Sequence, residues 1–285
     1  MTVAAVIVTY NRLNDLKVCL AAVKGQTRKP EEIIVVNNGS TDGTKEFLAT
    51  QEGVTAINQE NLGGAGGFYA GTKYAYDHGF DWVWMMDDDG IAEEHQLENL
   101  LMTAEKHGYK ALNALVVSKA DHTRLPFYGK IPLSRLDLSG DTFEYPVCAF
   151  NGTFIHRSVM DKVGFIKKEM FIWGDEQEYM KRILEAGIPF VTATKAIHYH
   201  PDEKGTSRQC IPGIKKYQIL EKPAHMSHYY YRNMGYMDKR YHTTLKFIVR
   251  NIGTHTVYFL RTLNFTELFK FYKYYFRGWR NNYTA

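Results

Sequence analysis

Three consecutive aspartates, Asp87, Asp88 and Asp89, follow five large apolar residues in the segment WVWMMDDDG at positions 82–90. Adjacent carboxylates repel one another, and burial makes their charges more costly. A hard divalent cation such as Mg²⁺ or Mn²⁺ binds carboxylate oxygens and would offset this repulsion. Asp87 and Asp89 occupy alternating positions, which suits a shared cation. The segment therefore predicts a metal site that also binds phosphate oxygens and neutralises a diphosphate leaving group.

A glycine-rich segment, NLGGAGGF at 61–68, is the second candidate for ligand binding. Glycine lacks a side chain, so the backbone of such a segment can approach a ligand closely. A helix predicted over 70–77 follows it, and the N-terminus of a helix offers free N–H groups to an anion. We interpret the segment as a loop that contacts the phosphate part of the ligand.

The elements that must position these residues alternate between strand and helix. Short apolar, β-branched runs predict strands, and apolar residues at spacings of three and four predict helices. The predicted strands are 3–10, 31–38, 54–57, 81–86, 147–156 and 190–200, and the predicted helices are 13–23, 45–50, 70–77, 93–107 and 176–186. This alternation predicts an α/β fold with an open, mostly parallel sheet and helices on both faces. The polar clusters at 9–11, 37–39 and 87–89 should then meet in one crevice at the carboxyl ends of the strands.

Four motifs in order resemble glycosyltransferase family 2 over roughly residues 3–200: TYNR, NNGSTDGT, NLGGAGGF and MMDDDG. The resemblance implies a GT-A fold, with a Rossmann-like half that binds a nucleotide sugar and a divalent metal, Mn²⁺ or Mg²⁺. Within the family the motifs are most similar to bacterial galactofuranosyltransferases, and next to rhamnosyltransferases. The implied activity is inverting transfer of galactofuranose first, or rhamnose second, from UDP or dTDP. The implied acceptor is a glycan or lipid-linked glycan of bacterial surface polysaccharide synthesis.

The resemblance also implies roles for individual residues. The donor-binding residues would be Thr9, Tyr10, Asn11, Arg12, Asn37, Asn61, Gly64, Asp87 and Asp88. The metal ligands would be Asp87, Asp89 and His198, since the family's register favours His198 over His200. Asn37 stands where the family usually has an aspartate that contacts the uracil ring. An amide oxygen can still accept a hydrogen bond from the ring, which leaves uridine and thymidine both open.

The segment FIWGDEQEYMKR at 171–182 places Asp175, Glu176 and Glu178 at the start of a helix. Acids there also stabilise the helix dipole, so spacing alone does not identify a catalytic base. The resemblance implies an acidic pair whose second member is the base, in the register of Glu176. Asp175 and Glu176 both stay open, ahead of Glu178. Trp173 would bind an acceptor sugar ring, and the segment Lys204–Arg208 is a candidate lid.

The C-terminal part of the chain is basic, with nine Lys or Arg against one acid from Lys239 onward. Aromatic and basic residues alternate over 268–279 at helical spacing, a pattern typical of a helix in a lipid interface. The expected lipid-facing residues are Leu268, Phe271, Tyr272, Tyr275, Phe276 and Trp279. The competing interpretation is packing on the catalytic domain or in an oligomer. No nucleic-acid recognition motif accompanies the charge, so nucleic acid is not an expected partner.

The predicted domains are a catalytic domain at 1–223 and a helical extension at 224–285. The catalytic domain divides into a donor and metal half at 1–118 and an acceptor half at 119–223. The three cysteines, Cys19, Cys148 and Cys210, form no CxxC pair, which favours a reducing compartment. The first residues lack the basic leader of a signal peptide. We expect a cytoplasmic protein, peripheral on the inner face of the membrane.

Two other functions fit parts of the pattern. A sugar-nucleotide pyrophosphorylase also uses an α/β sheet and a metal-binding aspartate, but it needs a glycine-rich basic loop after the first strand. The segment TYNRLNDL has no glycine there. A non-catalytic glycan-binding module of the same fold would have lost the metal or base residues, and both sets are present. The acceptor, the linkage, processivity and the oligomeric state stay open.

Overall fold

The computed structural model describes residues 1–127, 131–144, 150–202, 206–211, 213, 217–241 and 244–284. The chain forms two compact units. The first comprises Met1–Lys168 and Tyr179–Glu203, and the second comprises Glu169–Glu178 and Lys204–Ala285. These units divide the chain differently from the predicted boundaries at residues 118 and 223, because the segments 169–178 and 204–223 belong with the C-terminal residues.

The first unit alternates strands and helices, as its apolar periodicity predicts. Its elements are β1 (Val3–Thr9), α1 (Leu13–Lys24), β2 (Glu32–Asn37), α2 (Thr44–Ala49), β3 (Thr55–Asn58), α3 (Gly63–Asp77), β4 (Trp82–Asp87), β5 (Ile91–Ala92), α4 (Gln96–His107), β6 (Ala111–Ser118), β7 (Thr142–Phe143), β8 (Thr153–His156), α5 (Arg157–Val163), α6 (Asp175–Glu185) and β9 (Phe190–His200). The first turn of α6 belongs to the second unit.

The strands of the first unit form one sheet in the order β3-β2-β1-β4-β8-β6-β9-β5, with β7 also paired to β9. The pairs β3–β2, β2–β1 and β1–β4 are parallel, and so is the pair β6–β9. The other pairs are antiparallel. The predicted α/β class is confirmed, and the parallel arrangement is limited to part of the sheet. An apolar strand buried on both faces does not reveal its direction in its sequence.

Helices cover both faces of the sheet. Ala5 and Ile7 of β1 belong to the same buried cluster as Leu16 of α1 and Leu100 of α4. Successive side chains of a strand point to opposite faces, so Val6 and its even-numbered neighbours face the other side. That side packs against α3, because the glycines of α3 lie directly over the valines of β1 and β2.

The glycine-rich segment forms the first turns of α3 and is not a loop, in contrast to the sequence-based interpretation. A Cβ atom on Gly67 would lie 2.4 Å from a methyl group of Val8, and one on Gly71 would lie 2.3 Å from Val6. These glycines therefore allow α3 to approach the sheet closely. Gly64 differs, since a Cβ there would have nothing within 4 Å. Of these glycines, Gly64 has free space beside it for a ligand.

The second unit is mainly helical. Its elements are β10 (Thr206–Gln209), β11 (Gln218–Glu221), α7 (Ser227–Tyr241), α8 (Leu245–Arg261) and α9 (Phe265–Trp279). Its core includes Tyr231, Phe259, Phe271 and Tyr275, all buried. Phe271 and Tyr275 belong to the face that the sequence assigned to lipid, and for these two residues the assignment is wrong because they are buried in this core. Among the described residues, no helix is both long and apolar enough to cross a bilayer.

Two glycines bring α7 and α9 into close contact. A Cβ atom on Gly278 would lie 1.7 Å from the backbone oxygen of Arg232, and one on Gly235 would lie 1.9 Å from the backbone oxygen of Tyr275. Each helix therefore presents a glycine to the backbone of the other. Because backbone atoms cannot move as a side chain can, larger residues at these positions would force the helices apart.

We expect Gly278→Ala to lower the free energy of unfolding by about 3 kcal/mol, since overpacking against backbone displaces a whole helix. Gly253→Ala in α8 is the matched control, because a Cβ there meets nothing within 4 Å. Alanine is the better helix former, so this control should be neutral or stabilising by up to about 1 kcal/mol. Urea denaturation measures both variants. Equal midpoints for Gly278→Ala and the wild type would show that α7 and α9 are not so closely packed.

Candidate functional site

The carboxyl ends of β1, β2 and β4 lie side by side in the first unit. Thr9 pairs with Asn37, and Val8 pairs with Asp87, in the parallel ladder. The Thr9 hydroxyl donates a hydrogen bond of 2.7 Å to Oδ2 of Asp88. The strand ends therefore bring the polar segments at 9–11, 37–39 and 87–89 to one edge of the sheet, as their positions in the sequence predict.

The three aspartates are held in an environment that disfavours their charges. Burial raises the pKa of the Asp87 carboxyl, and the neighbouring Asp89 and Asp88 raise it further. Burial also raises the pKa of Asp88 to about 6, although the hydrogen bond from Thr9 and the charge of Arg12 oppose it. A bound cation would relieve this repulsion, since opposite charge favours the ionised carboxylate.

Asp89 is the aspartate with the strongest cationic partners. Burial acts to raise the pKa of Asp89, but His200 and Arg12 outweigh it and lower that pKa to about 2. Nε2 of His200 lies 3.1 Å from Oδ1 of Asp89. Arg12 forms an ion pair with the other oxygen of Asp89 and is 3.3 Å from Oδ1 of Asp88. Arg12, predicted to line the nucleotide pocket, thus lies against the aspartates.

The two histidines at the end of β9 have different surroundings. His198 is fully buried, and its Nδ1 lies 3.2 Å from the Gln96 side chain. Burial lowers the pKa of His198 to about 3, and its Nε2 has no hydrogen-bonding partner. This nitrogen abuts the backbone of Gly90, where a Cβ atom would lie only 2.1 Å away. His198 therefore lies beside the aspartate turn, where burial favours the neutral imidazole, and its described hydrogen-bonding partner is Gln96 and not Asp89.

The strand register explains why His200 lies next to Asp89. In the antiparallel pair of β5 with β9, Ala92 pairs with His198 and Ile91 with Tyr199. Extending that register by one residue sets His200 opposite Gly90. The sequence missed this contact, because the two-residue strand β5 carries no recognisable pattern.

Among the described residues, one trio of metal-binding side chains has its ligand atoms within 4.8 Å of one another: Glu93, Glu94 and His95. Glu94 and His95 are exposed, and exposed acidic groups often cluster without a metal. The predicted ligands Asp87 and Asp89 do not meet this criterion with His198, nor do they with His200, in the described part of the chain. Their role as a set stays a prediction.

The amide of Asn37 is already engaged within the protein. Its Nδ2 donates to Oδ1 of Asn58 at 2.9 Å, and its Oδ1 accepts from the backbone N–H of Ser40 at 3.0 Å. The side chain is 3% exposed. A carbonyl oxygen has two lone pairs, so Oδ1 keeps one acceptor position for a second donor. The predicted contact of Asn37 with a pyrimidine ring stays a prediction.

The other predicted donor-binding residues lie on nearby loops. Asn11 has a positive φ of 52°, and its Oδ1 accepts from the backbone N–H of Thr41 at 2.7 Å. Tyr10 is 47% exposed, which leaves its ring available for stacking. Oδ1 of Asn61 accepts from the backbone N–H of Gly63 at 2.9 Å, at the first residue of α3. Asn61 therefore orders the turn that leads to Gly64.

In the second unit, the three acids at the start of α6 differ in exposure. Glu178 is 1% exposed and accepts hydrogen bonds from the hydroxyls of Tyr241 at 3.0 Å and Tyr236 at 3.5 Å. Asp175 is 5% exposed. Glu176 is half-buried, and its Oε2 accepts from the backbone N–H of Gly174 at 3.2 Å. Glu176 is therefore the most accessible of the three acids.

The segment before these acids has an unusual backbone. Phe171, Trp173 and Gly174 have positive φ angles of 67°, 63° and 99°. Bulky residues seldom adopt such angles, and they do so where the surroundings hold them. Nδ2 of the buried Asn233 lies 2.9–3.0 Å from the backbone oxygens of Met170, Ile172 and Trp173. Asn233 could not be identified from sequence patterns, because it lies about 60 residues from this segment on an otherwise ordinary helix.

Trp173, the predicted sugar platform, is half-buried in the second unit. Nζ of Lys222 lies 4.5 Å from the centre of a Trp173 ring. This ammonium group contacts one face of the ring by a cation–π interaction. The acceptor-binding role of Trp173 stays a prediction.

Two sequence predictions fall partly outside the described residues. Lys204 and Gly205 of the candidate lid lie there, while Thr206–Gln209 form β10, which is antiparallel to β11. Cys148 and residues 147–149 of the predicted strand also lie outside the described residues. Cys19 and Cys210 are free and buried.

Comparison with known proteins gives a family match and similar sequences. Residues 4–164 match the family described as glycosyl transferase family 2. The chain is 33% identical over 249 residues to galactofuranosyltransferase GlfT1 of Mycobacterium tuberculosis, covering 83% of this chain and 82% of that protein.

Similar solved structures have low sequence identity and therefore show the fold. S. aureus TarS residues 1–349 in complex with UDP has a TM-score of 0.57 and 14% identity, covering 90% of this chain and 70% of that one. GalNAc-T7 with UDP, GalNAc and Mn²⁺ has a TM-score of 0.55 and 16% identity, covering 70% of this chain and 44% of that one. Both are GT-A glycosyltransferases, and the predicted GT-A fold is confirmed.

Proposed function

This chain belongs to glycosyltransferase family 2, and from that membership we propose that it is a metal-dependent, inverting galactofuranosyltransferase. The donor is UDP-galactofuranose, and the acceptor is a glycan or lipid-linked glycan of a bacterial surface polysaccharide. The transferase activity itself follows from the family and from the relatives. The comparisons support neither a pyrophosphorylase nor a non-catalytic module.

The observation that carries this proposal is the arrangement at the ends of β1 and β4. Asp87, Asp88 and Asp89 lie together with Arg12 and His200 at the edge where ligands of such sheets bind. Three acids and two basic groups suit a divalent cation and the two phosphates of a nucleotide sugar. The free space beside Gly64 supports a ligand that passes along the start of α3.

The residues present fit a divalent metal ion. Asp87 and Asp89 supply the carboxylate oxygens that Mn²⁺ and Mg²⁺ prefer, and the mutual repulsion of the aspartates favours a cation. We assign His200 as the histidine ligand ahead of His198, because its Nε2 already lies against Asp89. When bound, the metal would neutralise the charge that grows on the diphosphate leaving group.

Glu176 is the general base of the proposed reaction. Its carboxylate takes the proton of the acceptor hydroxyl, whose oxygen then forms a bond to the anomeric carbon of the donor sugar. The bond from that carbon to the diphosphate breaks, and its electron pair leaves with the nucleoside diphosphate. Attack on the side opposite the leaving group inverts the anomeric configuration. Arg12 lies against the aspartates and supplies a further positive charge at the diphosphate.

We expect the purified protein to use UDP-galactofuranose best and dTDP-rhamnose second. This order follows from the 33% identity to a galactofuranosyltransferase and from the motifs NLGGAGGF and MMDDDG. Release of the nucleoside diphosphate, measured for each donor at equal concentration, gives the order. The difference should be about tenfold or more, because a pocket that hydrogen-bonds one sugar leaves polar groups unpaired with another.

UDP-galactopyranose is the matched control donor, since it differs from UDP-galactofuranose only in the ring form of the sugar. Efficient turnover of this hexopyranose, with none of the two named donors, would refute the assignment of the donor. The family membership and the proposed metal site do not depend on this result.

A further inference from the structure

The helices α8 and α9 carry a concentrated set of exposed apolar side chains. We define the α8–α9 face as Leu245, Val249, Leu260, Leu263, Phe265, Phe269 and Phe276. Leu263 is 73% exposed and Phe269 is 74% exposed, so the described residues leave these side chains largely uncovered. Large exposed apolar patches are rare on soluble proteins and mark sites of interaction.

Most of these residues lie on one side of each helix. Leu245, Val249, Thr256 and Leu260 share one side of α8, because their spacings are four, seven and four. On α9 the side that carries Phe265, Phe269 and Phe276 also includes Tyr272. The hydroxyls of Thr256 and Tyr272 are 2.7 Å apart and join the two helices within this stripe. The stripes of α8 and α9 therefore meet at this contact.

The charges that α8, α9 and the residues after them contribute are mostly of one sign. The segment 244–284 contains seven Lys or Arg and one acid, Glu267. Glu267 is buried, accepts a hydrogen bond of 3.0 Å from Tyr231 and pairs with Lys270. The negative charge of Glu267 is therefore balanced within the second unit by Lys270. The remaining basic residues are Lys246, Arg250, Arg261, Lys273, Arg277 and Arg280.

We propose that the α8–α9 face binds the surface of an anionic lipid bilayer. Its apolar side chains would enter the interface, and the surrounding basic residues would contact lipid phosphates. A second copy of the same face is a poorer partner, because two basic rims would repel each other. The bound face shares Phe276 with the one that the sequence indicated but excludes Phe271 and Tyr275, which are buried in the core. The proposal does not depend on the identity of the donor or acceptor.

Sedimentation of the full chain with vesicles tests the proposal without any enzymatic assay. The protein should sediment with phosphatidylglycerol vesicles at low salt, and much less with phosphatidylcholine vesicles. Phe269→Ser should weaken binding by about tenfold, because it removes a large apolar side chain from the interface. Lys273→Glu should weaken it by about fivefold or more at low salt, since each cation near an anionic surface attracts it.

The control is Met102→Ser on α4, an equally apolar side chain that is 61% exposed in the first unit. This variant should bind as the wild type does. All three substituted side chains are exposed, and circular dichroism checks that each variant folds. Equal binding of Phe269→Ser and Met102→Ser would overturn the proposal. The proposal would also be overturned if the protein did not bind vesicles. If it then formed a dimer that Phe269→Ser dissociates, the α8–α9 face would bind a second copy of this chain instead.

Discussion

Asp89→Asn is expected to lower the rate of sugar transfer by about a thousandfold or more, because it removes one charge from the proposed metal site. The substitution keeps the size of the side chain. It also removes the ion pairs of Asp89 with Arg12 and His200. Titration of the protein with Mn²⁺ in a calorimeter should show binding to the wild type and much weaker binding to the variant. Chelation with EDTA should abolish wild-type transfer, and added Mn²⁺ or Mg²⁺ should restore it.

The control for this experiment is Asp77→Asn, which neutralises a more exposed aspartate on α3 that pairs with Lys73. It should retain both Mn²⁺ binding and activity. His200→Ala and His198→Ala compare the two histidines, and we expect only the first to weaken Mn²⁺ binding. Full transfer in EDTA, or by Asp89→Asn, would exclude a metal-dependent mechanism at these residues.

Glu176→Gln is expected to lower kcat by about a thousandfold and to leave the affinity for the donor nearly unchanged. A general base acts mainly in the transition state, so its loss appears in turnover and not in ground-state binding. Glu176 is half-buried, and its oxygen accepts from the backbone of Gly174. Single-turnover rates and UDP binding by calorimetry separate the two effects.

Asp175→Asn and Glu178→Gln are matched controls within the same helical turn. Asp175 is 5% exposed, and Glu178 is 1% exposed and bound by Tyr241. Both should reduce kcat far less than Glu176→Gln does. A large loss of kcat in Asp175→Asn alone would identify Asp175 as the base. If none of the three variants slows the reaction, the base lies elsewhere in the chain.

Much of the first unit follows from local patterns in the sequence. The buried strands β1, β2 and β4 read as apolar runs, and their parallel pairing places Thr9, Asn37 and Asp87 at one edge. The family motifs occur at these strand ends, so the place of the candidate site in the fold was predictable, while the roles of its residues stay predictions. The antiparallel strands β5, β7 and β8 were harder to predict, because short buried segments do not encode direction or partner.

The failures concern features that depend on distant residues. Glycine is a poor helix former, so the sequence favours a loop at positions 63–67. The close packing of α3 on Val6 and Val8 outweighs this low helix propensity. Periodicity showed that α9 has an aromatic side and a basic side. It did not show that Phe271 packs on Tyr231 of α7, which is 40 positions earlier in the chain. Likewise, the contact of His200 with Asp89 follows from strand register and not from spacing.

Asn233 donates hydrogen bonds to the backbone before Glu176, and this has a consequence for which acceptor glycans can react. The same helix holds Glu169 through Arg232 at 2.8 Å and packs on α9 through Gly235. The acidic segment and the α8–α9 face therefore belong to one unit, joined by α7. With that face on a bilayer, the proposed base would stand at a constant height above the headgroups. This distance would select acceptors by length. The hydroxyl of a lipid-anchored glycan would reach the base only when the glycan is long enough to span the distance from the headgroups.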